Sequence, residues 1–200
     1  MINQIILFLE LLIEAQSKPS TNVFINKVNI FSNRRNGITI TNGENVHIID
    51  SYISTSNGTP PMAGLCIEPN NKNNSINNIK IHNLNTYNNT NYGIVINLNK
   101  LLSEENKEVN IVIDKHNDTL SKTGLSIVDL FNKKNRLNGL IVISNAKWNN
   151  NIIPSRLGEY KNGPKILLNN ISVLVDDMID NTRTKNTIDL YKKKGNVSIK

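Results

Sequence analysis

Cys66 is the only cysteine in 200 residues, so the chain holds no internal disulfide and its fold does not depend on an oxidising compartment. No Cys-x-x-Cys pair and no His/Cys cluster with metal-ligand spacing occurs, and neither a metal nor another cofactor is expected. Aromatic residues make up only 5% and do not interleave with the basic ones. A nucleic-acid partner is therefore not expected, because single strands bind on stacking platforms. No apolar run reaches the roughly 20 residues needed to cross a bilayer, and no membrane partner is expected. Near the start, positions 5–9 and 11–13 are apolar, but Glu10 and Glu14 interrupt them. A signal peptide would want a basic start and an unbroken apolar core. Residues 1–20 are instead predicted to form an amphipathic helix that caps the open end of a β-stack, where apolar surface would otherwise be exposed.

What is abundant is equally informative. The chain has 38 asparagines and 29 isoleucines. Isoleucine favours strands because its branched side chain packs on a pleated surface. Asparagine tolerates left-handed backbone and bonds its own main chain in turns. Together they predict many short Ile-rich strands joined by Asn-rich bends. The net charge of +7 fits an anionic partner, but the lysines are scattered apart from Lys192, Lys193 and Lys194, which read as a solvated tail.

Two strand series recur. In the first a glycine opens an alternating segment: Gly37-Ile38-Thr39-Ile40, Gly64-Leu65-Cys66-Ile67, Gly93-Ile94-Val95-Ile96 and Gly124-Leu125-Ser126-Ile127. The second, aligned on its last apolar residue, runs Ile49, Ile81, Ile113, Ile143 and Val175, in steps of 32, 32, 30 and 32. Ser51, Asn83, Lys115 and Asn145 follow at predicted tight bends, and a third short strand comes after each. Such a period, β-rich and too short for helical repeats, predicts an all-β right-handed single-stranded parallel β-helix with coils of about 30 residues. The expected organisation is a cap over 1–20, the β-helix over 21–176, and a degraded final coil or basic tail over 177–200. Positions 100–108 and 149–164 read as lateral loops or a distorted coil.

Residues 33–70 read NRRNGITITNGENVHIIDSYISTSNGTPPMAGLCIEPN. This stretch resembles parallel β-helix proteins of the pectin-lyase-like superfamily, and within it a group that includes phage tail-spike-like polysaccharide depolymerases. The resemblance rests on Arg34, Arg35 and Gly37, on Asn57, Gly58, Thr59 and Pro61, and on Ala63, Gly64, Glu68, Pro69 and Asn70. It covers about one fifth of the chain. It implies a polysaccharide partner, an acidic one included, and a virion-associated or extracellular setting. Where the group has aspartate, this chain has Cys66.

The chemistry follows from stacking the coils. Thr39, Cys66, Val95 and Ser126 should form one outward column, and Thr41, Glu68, Asn97 and Val128 its neighbour. Glu68, Arg34 and Arg35 are the candidate catalytic residues, with Thr39, Cys66, Asn97 and Asn70 as candidate substrate-binding residues. A guanidinium beside Glu68 would form an ion pair between coils or bind a uronate carboxylate through two parallel hydrogen bonds. A glycoside hydrolase commonly uses two carboxylates, and Cys66 removes one of the pair the resemblance implies. A lyase would need a base and a cation to stabilise the enolate, a part open to either arginine. His47, His82 and His116 read as surface side chains. Asp176, Asp177 and Asp180 are weak calcium candidates, and Trp148 and Tyr160 would stack on a sugar or cover the core. Three readings of function stay open. One is a carbohydrate-binding or polysaccharide-degrading protein with impaired catalysis. The second is a structural or receptor-binding module of a phage tail fibre, in which a homotrimer would supply stability, and the third is a truncated β-helix fragment without activity of its own.

Overall fold

A computed structural model describes residues 5–7, 11–13, 17–103, 105–130, 136–158, 163–175, 178–179 and 197–199. The chain is an all-β, right-handed parallel β-solenoid of about five turns. Its only described helical element is a single 3-10 turn, Asn99–Leu101. Each coil contributes one short strand to a six-stranded sheet and two further arms to a larger one. The six short strands are Leu11–Ile13, Asn36–Ile40, Ala63–Ile67, Tyr92–Ile96, Thr123–Ile127 and Ile153–Leu157, each parallel to the next. The two further arms run as one long strand in Gly43–Ser54, Ile76–Tyr87 and Lys107–Thr119. In the next coil they separate into Leu137–Ser144 and Lys147–Asn149.

The corners explain the asparagines. Lys27, Asp50, Asn83, Lys115, Asn145 and Asn170 all have φ between 49° and 57° and mark the bend between the second and third arms. Ser32, Thr55, Asn88, Leu120 and Asn150 do the same after the third arm, with φ between 48° and 65°. Asparagine is among the few residues that adopt this left-handed backbone readily. Its amide then bonds the neighbouring coil: Asn78 Nδ2 donates to Asn45 Oδ1 at 3.0 Å, and Asn83 Nδ2 to Asp50 Oδ1 at 2.8 Å. Asn170 Nδ2 likewise donates to Asn145 Oδ1 at 2.7 Å.

Inside, columns of like side chains fill the bore. Register places Ile25, Ile48, Ile81, Ile113, Ile143 and Leu168 in one column, all buried. Ile40, Ile67, Ile96, Ile127 and Leu157 form another. Burying each such side chain stabilises the fold by roughly 1.5–3 kcal/mol.

Several expectations are corrected. The repeat column passes through Ile48 rather than Ile49, because Asp50, not Ser51, occupies the left-handed corner. It passes through Leu168 rather than Val175, since Ser172–Val175 pairs with the third-arm strand Lys147–Asn149. The even step of 32 at the last coil was thus a match between different arms. The stretch 149–164 contains a regular sixth short strand, Ile153–Leu157, which lacks the opening glycine. The N-terminal helix is replaced, in the described residues, by strands: Ile5–Leu7 pairs with Val28–Phe31, and Leu11–Ile13 with Asn36–Ile40. An open stack end presents unpaired backbone groups, and strand addition satisfies them where a helix would not. At the other end Val197–Ile199 adds in parallel to Lys165–Asn169. Lys192 to Lys194, Tyr160, Asp176, Asp177 and Asp180 lie outside the described residues.

Candidate functional site

The outward face of the six-stranded sheet carries the candidate residues. Ile38, Leu65, Ile94 and Leu125 point into the core, so the residues after them point out. Register aligns Leu12, Thr39, Cys66, Val95, Ser126 and Arg156 along the solenoid axis. The predicted column is therefore in register, but it is not exposed: Thr39, Cys66, Val95 and Ser126 are each 5% exposed or less. Ala63, Cys66 and Val95 form a small apolar cluster separate from the core, with Tyr92 and Val128 packed against it. These side chains make a floor rather than a row of free groups.

Asn36 stiffens the entry side of that floor. Its Nδ2 donates to Thr39 Oγ1 at 3.0 Å, and its Oδ1 accepts the Ala63 N–H at 3.1 Å. The second predicted column lies along the exit side. The backbone amides of Glu68, Asn97 and Val128 each bond the preceding coil one residue beyond the short strand. Asn97 Nδ2 donates to Glu68 Oε1 at 3.0 Å.

Arg35 and Glu68 come together as an ion pair at 3.8 Å, with 46% and 27% of their side chains exposed. Arg35 precedes its strand while Glu68 follows the strand of the next coil, so the pair reaches across the width of the face. Arg35 Nε is anchored on the Pro60 carbonyl at 3.2 Å, and the Cys66 thiol lies 3.9 Å from Glu68 Oε2. The pair thus lies as a strap over the floor at Cys66. Arg34 is exposed and its carbonyl accepts the Thr59 N–H at 2.7 Å. Asn70 is exposed in the turn beyond Glu68, where its N–H donates to Asn74 Oδ1 at 2.8 Å. Both stand in bends outside the short strands rather than on the floor between them.

The polar edge continues along residues that the sequence did not single out. Asn99 Nδ2 donates to Asn97 Oδ1 at 2.9 Å and to the Asp129 carbonyl at 2.8 Å. Arg156 approaches Asp129 at 4.0 Å, giving a second cross-coil ion pair. Asp129 follows Val128 as Pro69 follows Glu68, which was the available signal. Arg156 was hidden because its strand has no opening glycine.

The remaining candidates fall elsewhere. Trp148 is completely buried in the core. His47 is half-buried and its Nε2 lies 3.1 Å from Asn45 Oδ1. His82 is a surface residue whose Nδ1 is 2.9 Å from Asp114. His116 is not a surface residue: it is fully buried, because the left-handed corner at Lys115 turns the next side chain inward. Burial pushes its imidazole down to about 3. Among the described residues no group of three or more His, Cys, Asp or Glu side chains is placed to hold a metal ion. Comparisons of the chain with protein-family models, with curated proteins and with solved structures find no match.

Proposed function

We propose that the strapped face of the six-stranded sheet is a binding groove for a polysaccharide, an acidic one by preference, in a protein akin to the pectin-lyase-like β-helices. The observation that carries this reading is the Arg35–Glu68 pair, partly exposed and lying across a floor of small side chains. A guanidinium held at 3.8 Å from one carboxylate can exchange it for another, and a uronate offers two oxygens that match the guanidinium fork. Exposed ion pairs are worth only about 0–1 kcal/mol, so a ligand carboxylate would displace Glu68 at little cost. Asn97 Nδ2, which donates to Glu68 in the unliganded protein, is then released at the edge for a sugar hydroxyl. Arg156 offers a second cation four strands from Arg35, about 19 Å along the axis. A net charge of +7 favours such a chain over a neutral one.

Binding rather than turnover is the reading favoured for this groove. Hydrolysis with two carboxylates needs them about 5–9.5 Å apart. Glu68 has Cys66 two residues before it, and Asp129 stands on the second coil beyond, engaged by Arg156. In the unliganded protein Arg35 and Glu68 are engaged with one another, so neither stands ready as a free base or a free cation for lyase chemistry.

The sole cysteine makes the test direct. Arg35→Ala should weaken binding of an acidic polysaccharide about tenfold in calorimetry, and neutral polymers should bind weakly throughout. In the unliganded protein the same substitution should speed reaction of Cys66 with a thiol reagent, because the strap is gone. Unchanged affinity in Arg35→Ala and Glu68→Gln together would overturn the groove. Absorbance of unsaturated uronates should stay flat with the native chain.

A further inference from the structure

Directly behind the groove, the interior column Ile30, Ile53, Thr86, Asp118, Trp148 and Val173 changes character midway. Two coils are apolar, then a threonine and an aspartate take the core position, with His116 beside them. Thr86, His116 and Asp118 are 2%, 0% and 0% exposed. Thr86 Oγ1 lies 2.9 Å from His116 Nε2 and 2.5 Å from Asp118 Oδ1, so one hydroxyl bridges base and acid. Ser121 Oγ donates to Asp118 Oδ1 at 2.7 Å, and Asn151 Nδ2 donates to Asp118 Oδ2 from the following coil. The site is sealed. A Cβ on Gly93 would stand 2.3 Å from Asp118 Oδ1, so only glycine fits across from it. Among the described residues, His116 Nδ1 and Trp148 Nε1 are buried and find no hydrogen-bond partner. Among the described residues, the side chains that bond or stack on the pair are Thr86, Ser121, Asn151 and Trp148, none of them titratable or charged in the acidic range.

We propose that His116 and Asp118 are a proton-exchanging pair built into the core, in which folding passes one proton from the imidazole to the carboxyl through Thr86 and so keeps stability level across mildly acidic pH. The balance is simple. In the unfolded chain between about pH 4 and 6.5 the pair is imidazolium and carboxylate. Enclosed by the coils, both charged forms lose hydration, so the proton leaves His116 and resides on Asp118. The Thr86 hydroxyl can accept from one and donate to the other, so the chain of bonds survives the transfer. No proton is taken up or released, and the pair contributes no pH slope.

The directions of the two shifts agree. Burial raises Asp118 to about 6 against three side-chain hydrogen bonds that lower it. Burial lowers His116 to about 3. A raised acid stabilises the fold below its unfolded value and loses that contribution as pH rises through about 6. A depressed base does the reverse: its penalty is full at low pH and disappears as pH rises from about 3 to 6.5. The slopes are opposite and cancel between about pH 4 and 6.

Denaturant unfolding of the full chain, followed by Trp148 fluorescence from pH 3.5 to 7.5, tests this by difference from the native protein. Asp118→Asn should unmask the histidine: its unfolding constant falls up to tenfold per pH unit between 4 and 6 relative to native. His116→Leu should unmask the acid, with the unfolding constant rising by a similar factor over the same window. Both variants tracking the native pH profile would overturn the proposal. Should either variant fail to fold, imidazole nitrogen shifts in the native protein decide it. His116 is expected to stay neutral down to pH 4, and titration near 6.5 would end the proposal.

Discussion

At the scale of single residues, the left-handed corners set the clearest test. Asparagine or another tolerant residue occupies most of them, but Leu120 sits at φ 65° with 45% of its surface exposed. A side chain at such a φ costs roughly 1–2 kcal/mol, and leucine has no polar atom to offset it. Leu120→Asn is expected to stabilise the chain by about 1 kcal/mol, measured as a raised denaturation midpoint with unchanged m-value. The same scale shows where residue-by-residue reading succeeds. The pairing of Arg35 with Glu68 was legible, because a glycine-opened repeat places them one coil apart. The burial of His116 was not. Lys115 was expected at the bend, as the structure has it, but the sequence alone did not turn the next side chain inward, where Leu84 and Ala146 also point after their corners.

At the scale of the strand, inward columns set the energy. Ile113 is fully buried between Ile81 and Ile143, in register on both sides. Ile113→Ala leaves a hole bounded by two neighbouring coils that are themselves tied by backbone ladders and cannot collapse into it. A loss of about 2–5 kcal/mol is expected in chemical unfolding, and a value below 1 would contradict the column. The glycine-opened strands were readable from sequence because their alternation and their opening residue recur. The sixth short strand, Ile153–Leu157, was not, since Pro154 and the absence of glycine gave it the look of a loop. Proline is tolerated there because the pairing of this strand with Thr123–Ile127 does not pass through the Pro154 position. The N-terminal strands Ile5–Leu7 and Leu11–Ile13 were missed for a different reason. Short apolar runs have no intrinsic preference strong enough to choose helix or strand, and the exposed edge of the stack chooses for them.

At the scale of the molecule, a solenoid is held by contacts between neighbouring coils, and its stability is approximately a sum along one dimension. The buried network changes that locally. Thr86, Asp118 and Asn151 belong to three successive coils and all meet at one carboxyl. These coils should open together. Native-state hydrogen exchange is expected to give nearly equal opening free energies for Ile81, Ile113 and Ile143, and lower ones for Ile25 near the N-terminal end. A smooth gradient through all of them would refute the coupling. The groove shares this geometry, since its floor is the outer side of the same coils.

By itself the sequence determined the architecture: isoleucines at period two, glycines opening one series and asparagines at the corners admit few solutions other than stacked parallel coils. It also pointed to the Arg35–Glu68 meeting, since one repeat separates them. Only the tertiary structure decided that Asp50 rather than Ser51 takes its corner, which puts Ile48 in the column, and that Ser172–Val175 joins the third arm, which leaves the column to Leu168. It likewise decided that Thr39 and Cys66 lie beneath a strap, and that a histidine and an aspartate share the core. The physical reason is common to all three. Local pattern sets the period, but the facing of a side chain depends on a single corner, and its burial on what neighbouring coils lay over it.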